Sequence, residues 1–115
     1  MDTKAVLDHH LTSFGAADVD EALADYTDES VMITPEGVVK GRDEIRGVLE
    51  GFFSGLFAPG TYSFAMDTLH VVDDVAYIVW HASCADADIT LGTDTFVVRD
   101  GKIAVQTYTP KIEPK

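Results

Sequence analysis

Hydrophobic positions recur at helical spacing in the first half of the chain and at every second position in the rest, with the switch near Thr61. Asp2 or Thr3 can cap a first helix reaching about residue 16, whose inward stripe is Leu7, His10, Leu11 and Phe14. Asp18 caps a second, short helix. Glu21, three residues on, stands in the reach-back position of a capping box, and Val19, Ala22, Leu23 and Tyr26 form the buried stripe. Residues 30–34 read as a strand, Pro35-Glu36-Gly37 as a turn, and Val38-Val39-Lys40 as a brief return strand before Gly41. A third helix is predicted over 42–56, with Ile45, Val48, Leu49, Phe52, Phe53 and Leu56 on one face. Gly47, Gly51 and Gly55 lie along its flank, each costing about 1 kcal/mol against Ala. They mark either a tolerated exposed face or a close backbone approach.

In the second half Tyr62, Phe64 and Met66 alternate with Ser63, Ala65 and Asp67. Asp73-Asp74 turns the chain into a strand over 75–85, and a further strand follows over 89–99. Asp100-Gly101 is the strongest hairpin signal present and leads into a last strand over 102–109, closed by Pro110. Three helices followed by a run of strands predict an α+β domain spanning 1–115, its helices packed on a curved antiparallel or mixed sheet. No repeat, linker or low-complexity segment interrupts it.

Composition narrows the function classes. Of 115 residues 46% are hydrophobic, enough for a real core, and 20 acidic against 8 basic residues give a net charge of −12. Such a surface repels nucleic-acid phosphates and anionic lipids, so neither partner is expected. The lone cysteine, Cys84, cannot form an internal disulfide and, flanked by Ala82, Ser83 and Ala85, reads as a buried structural thiol. With no basic-then-apolar leader and no membrane-length apolar run, a cytoplasmic location is expected. No metal-ligand spacing or phosphate-binding glycine loop occurs, so no metal or cofactor is expected.

Asp94 and His10 stand out chemically. Asp94 interrupts Gly92-Thr93-Asp94-Thr95-Phe96, where β-propensity disfavours a carboxylate, and alternation allows it to face either solvent or the covered side. His10 lies on the apolar stripe of the first helix, either as a satisfied core histidine or as a functional group; His9 falls off that stripe. Trp80 and His81 must face opposite sides of their strand. Trp80 aligns with Ala76, Ile78 and Ala82, and His81 with Val75, Tyr77 and Val79. The second set suggests a covered outer face and a homodimer.

Tyr-Thr-Asp-Glu-Ser-Val before the first strand, Gly-Arg-Asp-Glu-Ile opening the third helix and Asp-Gly-Lys-Ile at the last hairpin complete a distributed pattern. It resembles the nuclear-transport-factor-2-like superfamily, particularly the SnoaL-like polyketide cyclases and ketosteroid isomerases, over nearly the whole chain. The resemblance implies a cone-shaped fold around a ligand pocket. It places Asp94 where the isomerases hold a neutral aspartic acid that donates to the substrate oxygen, and His10 where they hold a donor tyrosine. It also puts Thr34, in Ile33-Thr34-Pro35, where they carry the general-base aspartate. A threonine hydroxyl cannot abstract protons near neutral pH, so steroid isomerisation by that route is not expected.

Two functions follow as expectations. One is a SnoaL-like enzyme doing cofactor-independent acid–base chemistry of isomerase, cyclase or hydrolase type on a small apolar, oxygenated molecule. Asp94 and His10 would be its catalytic groups, Phe14, Tyr26, Phe53 and Trp80 its pocket walls, and Thr34 a hydrogen-bonding group. The other is a non-catalytic ligand-binding or dimerisation module with the same cavity, favoured by the missing base.

Overall fold

The computed structural model describes residues 2–115 as three helices packed against a six-stranded mixed sheet, the first two strands of which precede the third helix. Helix α1 (Thr3–Gly15) starts where the Asp2 carboxylate accepts from the Ala5 N–H at 2.8 Å, and α2 (Val19–Leu23) where Asp18 accepts from the Glu21 N–H at 3.1 Å. The capping box expected at α2 is only half made. The Glu21 carboxylate turns instead to His9, accepting at 2.6 Å from Nε2, while the Asp18 N–H donates to the Ser13 carbonyl. A charged partner draws the glutamate away from the backbone.

Strands β1 (Tyr26–Thr34) and β2 (Gly37–Lys40) form a hairpin, and α3 (Gly41–Phe53) follows. Then β3 (Ser63–Val72), β4 (Val75–Ser83), β5 (Ala87–Arg99) and β6 (Lys102–Pro114) run as an antiparallel meander whose last strand pairs parallel with β1. The sheet order is β2-β1-β6-β5-β4-β3. Strand β6 does not stop at Pro110. That proline sits opposite Gly92 beside a register shift between Ile89 and Leu91, and bulges are among the few places where a sheet accepts proline. Further shifts in β3, β4 and the second half of β5 bend the sheet around the helices.

The core lies between Val6 and Leu7 of α1, Leu23 of α2, Ile45 and Leu49 of α3, and the inner face of the sheet. Gly47 and Gly51 are exposed with open space where a Cβ would stand, so the glycine flank of α3 is a tolerated exposed face. Trp80 faces inward with Ala76, Ile78 and Ala82, whereas His81 is exposed and bonds Asp67. The outer face carries Val75, Tyr77 and Val79 on β4, Thr93, Thr95 and Val97 on β5, and Val105 and Thr107 on β6. No carboxylate, lysine or arginine lies within that set, and the exposed His81–Asp67 pair stands at its margin. Among the described residues no helix is long and apolar enough to cross a membrane.

Candidate functional site

Between the helices and the inner sheet face lies a cavity of about 370 Å³, a size typical of small-molecule sites. Helix α1 contributes His10, Leu11 and Phe14; Phe52 and Phe57 close it from the end of α3; the sheet supplies Trp80, Asp94, Phe96, Gln106 and Tyr108.

Asp94 is 6% exposed and is the only carboxylate on this wall. Its Oδ1 accepts from Trp80 Nε1 at 2.8 Å and its Oδ2 from Gln106 Nε2 at 2.9 Å. Behind Gln106, the Tyr26 hydroxyl donates to Oε1 and so fixes which end of the amide faces Asp94. Burial pushes the Asp94 carboxyl up to about 6, and the two N–H donors limit the rise by favouring the anion. Asp94 is thus largely ionised at neutral pH and close to its titration point.

A tight backbone approach makes this possible. Trp80 pairs with Gly92 across β4 and β5, and a Cβ at Gly92 would overlap the indole ring. With no side chain at position 92 the indole lies flat on the strand, and its Nε1 reaches Asp94 two residues on.

His10 is 5% exposed, its ring 5.1 Å from that of Phe96 and 6.1 Å from that of Phe14. Its Nδ1 is the one buried side-chain nitrogen or oxygen without a hydrogen-bond partner among the described residues. Burial, and secondarily the neighbouring charge of His9, lowers its pKa to about 4, so it is a neutral imidazole on the cavity wall.

The remaining sequence candidates separate. Phe14 and Trp80 line the cavity. Tyr26 lies one layer behind, because its hydroxyl is engaged by Gln106. Phe53 does not reach the cavity either: its ring packs edge-on against Phe14 at 4.9 Å, and Phe52 takes the lining position. Thr34 also lies outside. It borders an adjoining groove with Glu36 and Val38, its hydroxyl within 3.2 Å of the Glu36 carboxylate and 3.4 Å of the Gly37 carbonyl. The hairpin turn holds the hydroxyl locally, which removes it from the hydrogen-bonding role expected of it.

Gln106 and Tyr108 were not legible as site residues. A plain two-residue turn at Asp100-Gly101 would set Thr107 opposite Asp94. A register shift between Val97 and Val98 sets Tyr108 there and turns Gln106 inward beside it. Gly92 within a strand was the readable signal of close packing. His9, off the apolar stripe, is also engaged: Nδ1 meets the buried Asp25 carboxylate at 2.7 Å and Nε2 meets Glu21. Those two carboxylates, Asp25 first, raise its pKa.

The chain belongs to the SnoaL-like domain family, whose sequence profile matches residues 7–106. No curated protein matches it. Among solved structures it is similar to a nuclear-transport-factor-2-like protein of unknown function from Cytophaga hutchinsonii, at 8% identity over 96% of this chain and 91% of that one, TM-score 0.78. It is similar to a candidate ketosteroid isomerase from Kribbella flavida at 15% identity, covering 95% of this chain and 77% of that one, TM-score 0.78. A candidate polyketide cyclase from Sinorhizobium meliloti is 15% identical over 90% of this chain and 93% of that one, also with TM-score 0.78. At such identities the likeness carries the nuclear-transport-factor-2-like fold alone.

The two buried groups pull stability in opposite directions with pH. His10 is depressed from 6.5, so the stability of its neutral burial is complete above pH 6.5 and is lost as pH falls toward 4. Asp94 is raised from 3.8, so its contribution is complete below that value and is lost as pH rises through about 6. His10→Phe removes the first effect without orphaning a partner. Urea unfolding of this variant and the parent should show the variant gaining relative stability as pH drops from 7 to 4, approaching about 3 kcal/mol. An identical difference at both pH values would mean that His10 is not buried neutral.

Proposed function

We propose that this chain is a cofactor-independent acid–base enzyme acting on a small, mostly apolar, oxygenated molecule held in the cavity. The observation that carries the reading is the Asp94 carboxylate, buried in an aromatic wall and held by two N–H donors. A base that titrates near working pH can take a proton from a C–H or O–H acid and return it to another atom of the same molecule. Such a step moves one proton and needs no oxidant or reductant, which suits isomerisation or cyclisation. Neutral His10 would assist as a local donor or acceptor.

The alternative, a binding module without turnover, is favoured by Thr34, which stands where the isomerases carry their base and lies outside the cavity. Deuterium exchange into fused-ring ketones and their enolised 1,3-diketone relatives separates the two readings. Asp94-dependent exchange, reduced by about 10²-fold or more in Asp94→Asn, is the expected result. Binding without exchange would favour the module. A Δ5-3-ketosteroid run alongside should not be isomerised, because Thr34 stands where that reaction's base belongs, and robust turnover that survives Asp94→Asn would overturn the role given to Asp94.

The same reading includes a homodimer through the outer face of the sheet. In a chain of net charge −12, the uncharged set around Tyr77, Val79 and Val97 is where a second copy can approach without bringing carboxylates together. Sedimentation velocity at micromolar concentration should give a dimer; a monomer alone would remove this part of the proposal.

A further inference from the structure

We infer that the ligand meets Asp94 with a neutral hydroxyl donor, a phenol or an enol, and that a ketone or ether oxygen is not held there. The inference rests on the cavity being the functional site, as proposed above, and concerns which chemistry that site accepts.

All the donors at this end of the cavity point the same way. The Tyr26 hydroxyl donates to Gln106 Oε1, Gln106 Nε2 donates to Asp94 Oδ2, and Trp80 Nε1 donates to Asp94 Oδ1. The relay therefore ends on an acceptor. An ionised carboxylate has about four acceptor positions, and two remain for whatever occupies the cavity. A ligand oxygen without a proton would place its lone pairs against that anion. A ligand O–H instead makes a charge-assisted bond, roughly twice as strong as a neutral one. This arrangement is the reverse of a site in which a neutral aspartic acid donates to a carbonyl.

Charge narrows the choice further. No lysine or arginine lines the cavity, so an anionic ligand has no counter-charge there, and the chain as a whole carries a net charge of −12. His10, Thr12 and the Tyr62 and Tyr108 hydroxyls also border the cavity; none of them bonds Asp94, and each can serve a ligand as donor or acceptor. Discrimination between donor and acceptor ligands thus falls to Asp94. The aromatic walls, Phe14, Phe52, Phe57 and Trp80 among them, suit a flat apolar body attached to the hydroxyl.

Three neutral probes of similar size test this: 2-naphthol, 2-methoxynaphthalene and 2-acetylnaphthalene, titrated into the protein at pH 7.5 by calorimetry or by quenching of the single tryptophan. The naphthol should bind about tenfold or more tightly than either of the others. That preference should shrink in Asp94→Asn, and in the unmodified protein when the pH is lowered below 5. Equal or tighter binding of the ether or the ketone at pH 7.5 would overturn the inference while leaving the cavity as the site. So would a preference that survives Asp94→Asn unchanged. If none of the three binds up to its solubility limit, the inference and the cavity reading fall together.

Discussion

The structure turns on a buried carboxylate on the wall of the cavity. Burying the Asp94 anion is costly without compensation, and the fold meets that cost with two N–H groups from opposite neighbours in the sheet. Each donor has its own requirement. Trp80 can lie flat and reach Asp94 only because position 92 has no side chain. Gln106 can present its amide N–H only because a strand irregularity turns it inward and Tyr26 holds its carbonyl end. Four residues from four strands are thereby tied to one charge.

Around that charge the cavity is apolar and aromatic, and His10 sits among the rings as a neutral group whose buried Nδ1 has no partner. An uncompensated polar atom lowers stability and is retained where function gives a reason for it. In the proposed function, the Asp94 carboxylate and the neutral His10 imidazole are the two groups on the cavity that move a proton. The same two groups have little to offer to redox or phosphoryl chemistry. Family membership and fold are consistent with that reading without dictating it, since this fold carries many reactions.

Much of the fold was legible from residues alone. The stripe through Leu7 and His10, the capping aspartates Asp2 and Asp18, the Asp100-Gly101 turn and the inward side of Trp80 follow from periods of 3.6 and 2 and from turn chemistry. What escaped was decided by single-residue register shifts. One shift in β5 exchanges Thr107 for Tyr108 opposite Asp94, and another lets β6 continue through Pro110. Side-chain competition was equally hidden: Glu21 leaves its helix cap for His9, and Thr34 is held by its own turn. No local pattern reports such choices, because they depend on contacts between distant segments.

The ionisation of Asp94 is the claim on which the rest depends, and carbon-13 NMR titration of its side-chain carboxyl measures it directly. Burial opposed by two donors leaves the midpoint raised, to about 6. A midpoint near the ordinary aspartate value of about 4 would mean that burial does not raise this carboxyl, and would contradict the account.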